Sequence, residues 1–144
     1  MTTDQKLEDV LYYLLEKTNK VIRRYSQVRF NEAGINITVD QWLVLKKIND
    51  SDRITQIELA NALFKDRASI TRILDLLLEK KLIRKEPGVD KRVHELVLTP
   101  AGQKFMEQAF GVVKKVRKKG IETLQDKEQE QLRMSLQKII RNLE

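Results

Sequence analysis

Residues 55–99 constrain the fold of this chain more than any other part of the sequence. Their apolar spacing predicts a short helix, a tight turn and a second helix, followed by two strands joined by a basic loop. Pro87 and Gly88 mark the turn between the strands, because both residues interrupt regular structure. This order predicts a helix-turn-helix followed by a β-wing. The expected fold class is therefore mainly α with a small β-wing.

The second helix of this stretch, predicted over residues 67–80, has two unlike faces. Asp66 is a good N-cap for it. Apolar steps of three and four place Ile70, Leu74 and Leu77 toward the core. A helix that enters a DNA major groove by its N-terminal end needs donors and small side chains there, whereas a solvated face is the alternative. The residues that meet this need are Arg67, Ala68, Ser69, Thr71 and Arg72.

The predicted hairpin carries two cations near its tip, Lys91 and Arg92. Its strands are expected at residues 82–86 and 93–98, with His94 packed or half-exposed rather than acting as a pH sensor. Cations on a narrow β-loop can reach a minor groove or its flanking phosphates. A solvated hairpin tip is the alternative, but the helix that precedes the hairpin favours the DNA interpretation.

A helix is also predicted immediately before this stretch. Thr38 and Gln41 have the spacing of a capping box, and the helix should end at Asn49. Trp42 is expected to anchor the core from this helix. Ile54 is expected to form a short strand that pairs with the wing.

Long helices are predicted on both flanks, where we expect them to serve dimerisation. Residues 4–33 carry an apolar stripe at steps of four and three, with Thr2 and Gln5 spaced as a capping box. Gly34 suits the position after the helix, where a left-handed conformation is needed. A helix of about 30 residues is longer than a small domain needs. Its stripe should therefore pack on a partner subunit, with an intrachain bundle as the alternative.

The C-terminal flank is expected to contain two further helices. Thr99 and Pro100 should begin one that runs toward Glu122, because proline is well tolerated at the first helical position. Asp126 and Gln129 are expected to begin the last helix, which carries an apolar seam to the end of the sequence. The chain then divides into an N-terminal dimerisation helix (1–34), a winged helix-turn-helix region (35–99) and C-terminal dimerisation helices (100–144), within one continuous domain.

Composition and charge narrow the classes of function. The 28 Lys and Arg residues exceed the 21 Asp and Glu residues, and the net charge of +7 favours an anionic partner such as nucleic acid. The absence of Cys excludes disulfides and thiolate metal sites, and a single His excludes a multi-histidine site within one chain. We therefore expect no metal and no cofactor. With no glycine-rich phosphate loop either, an enzyme is the weakest interpretation.

Targeting signals are not evident in the sequence. The N-terminal residues include acids and lack the apolar region of a secretory signal, and no apolar run approaches the roughly 20 residues that span a bilayer. The chain is therefore expected to be cytoplasmic, with no membrane partner.

Three short motifs carry a resemblance to a known family. Asp90, Arg92, Leu96, Leu98, Thr99 and Gly102 form the pattern D-x-R-x(3)-L-x-L-T-x-x-G. With Gln56-x-Glu58-Leu59-Ala60 and Ser69-x-Thr71-Arg72 before it, this pattern resembles the MarR family of bacterial winged-helix transcription regulators. The resemblance extends over nearly the whole chain, because the length and the order of the helices also agree.

The resemblance implies a homodimer with interleaved terminal helices and two winged helices on a pseudo-palindromic operator, acting as a repressor on the bacterial nucleoid. It implies that Arg92 enters the minor groove, that Asp90 shapes the wing, and that Ser69, Thr71 and Arg72 face the major groove. It also implies release from DNA by small anionic aromatic compounds. The candidates for lining such an effector site are Tyr12, Tyr13 and Tyr25, although aromatic helix positions more often belong to the core.

The partners expected for this chain are thus double-stranded DNA, a second copy of itself and a small-molecule effector. The alternative function is a winged-helix module for protein–protein interaction, without sequence-specific DNA binding. The residues expected to contact DNA are Thr55, Gln56, Lys65, Arg67, Ala68, Ser69, Thr71, Arg72, Asp90, Lys91 and Arg92.

Overall fold

The computed structural model describes residues 3–144, so the capping role expected of Thr2 lies outside the described residues. A 3-10 turn at Leu7–Asp9 comes first, and the longer helices and the strands follow in an order close to the predicted one. In chain order they are α1 (Leu11–Glu32), α2 (Val39–Asn49), β1 (Ile54–Thr55), α3 (Gln56–Ala62), α4 (Arg67–Glu79), β2 (Ile83–Pro87), β3 (His94–Leu98), α5 (Pro100–Ile121) and α6 (Asp126–Leu143).

The N-terminal helix differs from its prediction at its beginning. The expected helix over residues 4–33 is interrupted at Val10, which is extended with φ −73° and ψ 124°. Leu7 is 59% exposed, so no packing within the chain stabilises a helix through this break. The apolar stripe continues across the interruption, and periodicity alone therefore could not reveal it. The other end agrees with the prediction, because Gly34 has φ +71° directly after the helix.

Helix α2 connects the long helices to the rest of the winged helix-turn-helix region. Its capping box is present, with the N–H of Gln41 donating to Thr38 Oγ1 and the N–H of Thr38 donating to Gln41 Oε1, both at 3.1 Å. Trp42 is buried, as expected, and its ring stacks on Phe110 of α5 at a centroid distance of 6.1 Å. This contact fixes the middle of α5 against the winged helix-turn-helix region.

Helices α2, α3 and α4 pack against a small antiparallel sheet with strand order β1-β3-β2. The short strand predicted at Ile54 is present and pairs with Leu96 of β3. His94 lies in β3 as expected, opposite Pro87 at the far end of the ladder, and is exposed rather than packed, because this end of the hairpin extends beyond the core. The fully buried side chains that hold this unit together include Leu45, Leu59, Ile70, Leu74 and Leu77.

Helix α5 begins at a close contact with Leu82, in the short connection between α4 and β2. Thr99 caps the helix by accepting the N–H of Gly102 at 3.0 Å, and its own N–H donates to the Leu82 carbonyl at 3.1 Å. A Cβ atom on Gly102 would lie 1.9 Å from that same carbonyl oxygen. The Thr99 and Gly102 positions of the family motif therefore have a packing role at this junction.

The last helix begins at Asp126 as expected, but its capping pair lies one residue earlier. The N–H of Gln125 donates to Glu128 Oε1 at 3.1 Å, in place of the predicted pair Asp126 and Gln129. Both registers offer a polar side chain followed three residues later by Glu or Gln, so spacing alone could not distinguish them. Over the described residues, no helix is long and apolar enough to cross a membrane.

The turn between α3 and α4 contains a strained residue. Phe64 has φ +55° and its side chain is 95% exposed, while the N–H of Lys65 donates to the Ala60 carbonyl at 3.0 Å in a helix-ending turn. A non-glycine residue in this conformation costs roughly 1–2 kcal/mol, and this side chain gains no packing in return.

We expect Phe64→Gly to raise the free energy of unfolding by about 1 kcal/mol, because glycine adopts a positive φ without strain. Urea denaturation at fixed protein concentration measures the effect as a higher midpoint with an unchanged slope. Phe64→Ala is the matched control, since it removes the ring and keeps the strain. An equal gain from both variants would show that the exposed ring, and not the backbone, was responsible.

Candidate nucleic-acid interface

The N-terminal end of α4 is organised by its capping residue. Asp66 accepts the N–H of Ser69 at 2.7 Å and the hydroxyl of Ser69 at 3.0 Å. The hydrogen bonds from Ser69 hold the pKa of the Asp66 carboxyl below its ordinary value. The Ser69 hydroxyl is therefore already engaged within the protein, while Arg67, Ala68 and Arg72 are exposed on the same end of the helix.

Two of the predicted DNA-contacting residues contact each other instead of standing free. Gln56 at the start of α3 donates from Nε2 to Thr71 Oγ1 of α4 at 2.6 Å, and Thr71 in turn donates to the Arg67 carbonyl at 2.9 Å. Both side chains are half-buried. This contact joins the start of α3 to the first turns of α4, which carry the exposed arginines.

Thr55 caps α3 by accepting the N–H of Glu58 at 3.2 Å. This is one half of a capping box. Thr55 also lines a small pocket of about 270 Å³ together with Gly88, Asp90 and Val93 of the wing. The wing therefore lies beside the beginning of α3, which is itself bonded to α4. The N-terminal end of α4, the beginning of α3 and the wing are thus parts of one continuous surface.

At the wing tip, the carboxylate of Asp90 holds the side chain of Arg92. Asp90 accepts the Nε and Nη2 donors of Arg92 at 3.2 and 3.1 Å, as well as the backbone N–H of Arg92 at 3.0 Å. The hydrogen bonds from Arg92 hold the pKa of Asp90 below its ordinary value. The Arg92 side chain is still 89% exposed. Its direction is consequently fixed while most of its surface remains open, and Lys91 is exposed beside it.

The loop that carries these residues is closed by its own backbone. The N–H of Gly88 donates to the Val93 carbonyl at 2.9 Å, and the N–H of Val93 donates to the Asp90 carbonyl at 2.9 Å. A Cβ atom on Gly88 would lie 2.8 Å from the Val93 carbonyl oxygen, so glycine permits this close turn.

Lys65 is placed differently from the other residues predicted to contact DNA. Its Nζ atom lies 3.1 Å from Asp40 of α2, and Asp40 also pairs with Arg23 of α1. Burial acts to raise the pKa of Asp40, but the hydrogen bonds and charges of Arg23 and Lys65 outweigh it and lower that pKa. Lys65 thus connects the turn before α4 to the N-terminal helix and is half-buried.

The three tyrosines proposed for effector binding are not brought together. Tyr12 is exposed, Tyr13 is half-buried, and Tyr25 lies further along α1, where the Arg29 guanidinium sits 4.7 Å from its ring centroid. A cleft of about 670 Å³ between α1, α2 and the α3–α4 turn contains none of them. Its polar lining includes Arg23, Asp40 and Lys65, which come from three separate elements, so sequence periodicity could not identify it.

One residue at the base of the wing was missed in the sequence. Arg53 precedes β1, and its guanidinium reaches Glu86 at 3.0 Å, Glu95 at 3.5 Å and the Pro87 carbonyl at 3.2 Å. In the sequence, the only indication of this role is that Arg53 is a cation immediately before the short strand expected to pair with the wing. Within residues 3–144, no group of three or more acidic or histidine side chains could hold a metal ion.

The fold and this surface define a winged helix-turn-helix protein. The model of the MarR family matches residues 37–94. The chain is 31% identical over 110 residues to the HTH-type transcriptional regulator YhbI of Bacillus subtilis, covering 76% of this chain and 68% of that protein. It is 33% identical over 100 residues to the multiple antibiotic resistance protein MarR of Salmonella typhimurium, covering 69% of this chain. The chain belongs to the MarR family.

Solved structures agree with this membership. A mutant of MarR from E. coli complexed with operator DNA superposes with a TM-score of 0.82 and 28% identity, covering 95% of this chain and 99% of that one. The sequence alignment spans 65% of the length of the Salmonella MarR protein. The family resemblance and the expected fold class are confirmed. The family consists of transcriptional regulators and not of enzymes, in agreement with the expectation from composition.

Proposed function

We propose that this chain is a sequence-specific DNA-binding transcription repressor that acts as a homodimer. The observation that carries the proposal is the continuous surface formed by the exposed arginines of α4 and the wing with its supported Arg92. Each protomer would place the beginning of α4 in a major groove and Lys91 with Arg92 in the adjacent minor groove. The two half-sites of the operator would lie about one helical turn apart, near 10 base pairs.

The predicted contact residues divide into two roles in this proposal. Arg67, Ala68, Arg72, Lys91 and Arg92 would touch DNA, because their side chains are exposed. A second group would position these contacts from within the protein. Its members are Thr55, Gln56, Ser69, Thr71 and Asp90, which cap, bridge or support the first group.

A second copy of the chain is the proposed partner of the flanking helices. Leu11 of α1 is 68% exposed, and Ile140 and Leu143 of α6 are 52% and 72% exposed. No residue of α6 is buried within the chain. A terminal helix with an uncovered apolar seam needs docking to persist. Residues 1–34 and 100–144 would form the dimerisation arms, and sedimentation equilibrium should return twice the mass of the chain.

The cleft at Arg23, Asp40 and Lys65 supports an effector site more strongly than the tyrosines do. It lies where α1 meets the turn that precedes α4, and there Arg23 and Lys65 both pair with the Asp40 carboxylate. Lys20 and Glu16 also line the cleft. A small aromatic acid bound there would compete with Asp40 for these cations and would shift α4. Such a repressor would work in the cytoplasm, on the nucleoid when bound to DNA.

The test of the function is the affinity of the purified protein for duplexes selected from a random library. Fluorescence anisotropy at several salt concentrations should give tight binding to the selected duplex, weaker binding to random duplex, and affinity that falls steeply with salt. A winged helix used for protein–protein assembly would bind neither duplex, and that result would overturn the proposal.

Arg72→Ala is expected to reduce discrimination between operator and random DNA. Arg72 is exposed on α4 and can therefore donate to a base edge. Within the protein its Nη2 atom makes a long hydrogen bond of 3.4 Å to Ser69 Oγ. Loss of a bidentate base contact costs about 1–3 kcal/mol at one position. Anisotropy titrations with both duplexes measure the ratio of affinities. An equal loss on both duplexes would assign Arg72 to a phosphate contact instead.

A further inference from the structure

Arg53 lies beside two glutamates that repel each other in the stem of the wing, the paired strands β2 and β3. Glu86 of β2 and Glu95 of β3 occupy directly opposed positions in the antiparallel ladder. Their side chains are only 25% and 15% exposed. Like charges at directly opposed positions destabilise a sheet. The guanidinium of Arg53 contacts both carboxylates, at 3.0 and 3.5 Å, and so offsets their repulsion.

The two glutamates are not equally supported. Glu86 has a second ion pair, with Arg84 at 2.8 Å. Glu95 has Arg53 as its only ion-pair partner among the described side chains, and its buried Oε1 atom makes no hydrogen bond. Removal of Arg53 would therefore leave Glu95 as an uncompensated and mostly buried charge.

Glu95 is in turn connected to the wing tip. A Cβ atom on Gly88 would lie 3.2 Å from Glu95 Oε1, so this side chain packs directly beneath the first residue of the loop. Arg53 also donates to the carbonyl of Pro87, the last residue of β2, at 3.2 Å. A movement of Glu95 or Pro87 would tilt the loop that presents Arg92.

We infer that Arg53 is a positioning residue for the wing, which sets the direction in which Arg92 approaches DNA by neutralising Glu95 and Glu86. This inference rests on the proposed DNA-binding function. Arg53 acts from the stem and not as a contact. Its loss should loosen the hairpin locally, because the uncompensated Glu95 lies within the strands of the wing, while the rest of the fold stays intact.

Arg53→Ala should weaken operator binding roughly fivefold, as expected for a network residue that touches neither partner directly. The salt dependence of binding should keep the wild-type slope, because no phosphate contact is lost. Adding Glu95→Gln to Arg53→Ala removes the uncompensated charge of Glu95 and with it the repulsion between Glu95 and Glu86. The double variant should therefore bind the operator within about twofold of wild type. Glu95→Gln alone is the control and should bind as wild type does.

Three outcomes would overturn the inference. Wild-type affinity in Arg53→Ala would show that the stem does not depend on Arg53. A salt slope reduced by about one, with no rescue by Glu95→Gln, would make Arg53 a phosphate contact. Unchanged amide exchange at Gly88 and Val93 in Arg53→Ala would show that the loop is not loosened. This last readout needs no DNA, so it judges the inference even if the wild-type protein binds no duplex, a result that would overturn only the proposed function.

Discussion

Replacing Arg92 with alanine is expected to weaken operator binding by about tenfold or more while leaving the protein folded. The Arg92 side chain is 89% exposed and bonds to Asp90, so its removal exposes no core residue. Because Asp90 already holds the side chain in one direction, little conformational entropy remains to be lost when it enters a groove. Anisotropy titration against the selected duplex measures the affinity, and thermal denaturation verifies the fold.

Lys91→Ala is the matched control for this prediction. Lys91 is an exposed neighbour on the same loop with no ion-pair partner among the described residues. Its loss should weaken binding to operator and random duplexes to a similar extent and reduce the salt slope by about one. If Arg92→Ala behaved in the same way as Lys91→Ala, Arg92 would be a phosphate contact. Unchanged affinity in Arg92→Ala would remove the wing from the interface altogether.

Gly102→Ala is expected to destabilise the protein by about 3 kcal/mol, the upper part of the range for overpacking. The new Cβ atom would lie 1.9 Å from the Leu82 carbonyl oxygen and 2.9 Å from its carbon. Neither atom can move aside freely, because the same carbonyl accepts the Thr99 N–H that joins the wing to α5. The start of α5 would have to shift away from the connection between α4 and β2.

Gly111→Ala is the control, since Gly111 also lies within α5 but has no atom within 4 Å of an added Cβ. It should raise the free energy of unfolding by roughly 0.5–1 kcal/mol, through the better helix propensity of alanine. Urea midpoints compared at one protein concentration measure both variants, because the proposed dimerisation would make the midpoint depend on concentration. Wild-type stability in Gly102→Ala would contradict the close contact at Leu82.

The features that were predicted correctly are mostly local. Thr38, Asp66 and Thr99 each cap a helix by accepting a hydrogen bond from a residue three positions later. Such contacts depend only on the order of neighbouring residues, and the sequence contains all of that order. The pairing of Asp90 with Arg92, two positions apart, is equally local, but it was expected from the family resemblance and not from residue order.

The errors and omissions involve contacts between distant segments or between equivalent local patterns. Lys65, which is predicted to contact DNA, also pairs with Asp40, 25 positions earlier, and no local pattern indicated that ion pair. The break at Val10 and the register of the α6 cap were missed, since each competes with an almost identical local alternative.

The sequence by itself therefore determined the class of fold, the order of helices and strands, and the loop that carries Lys91 and Arg92, because periodicity and capping act over a few residues. The tertiary structure alone decided which of the predicted contacts remain exposed and how the wing is supported. Arg53 reaches the carbonyl of Pro87 across 34 positions of the chain. A contact of this kind exists only after the sheet has formed, and no local pattern specifies it.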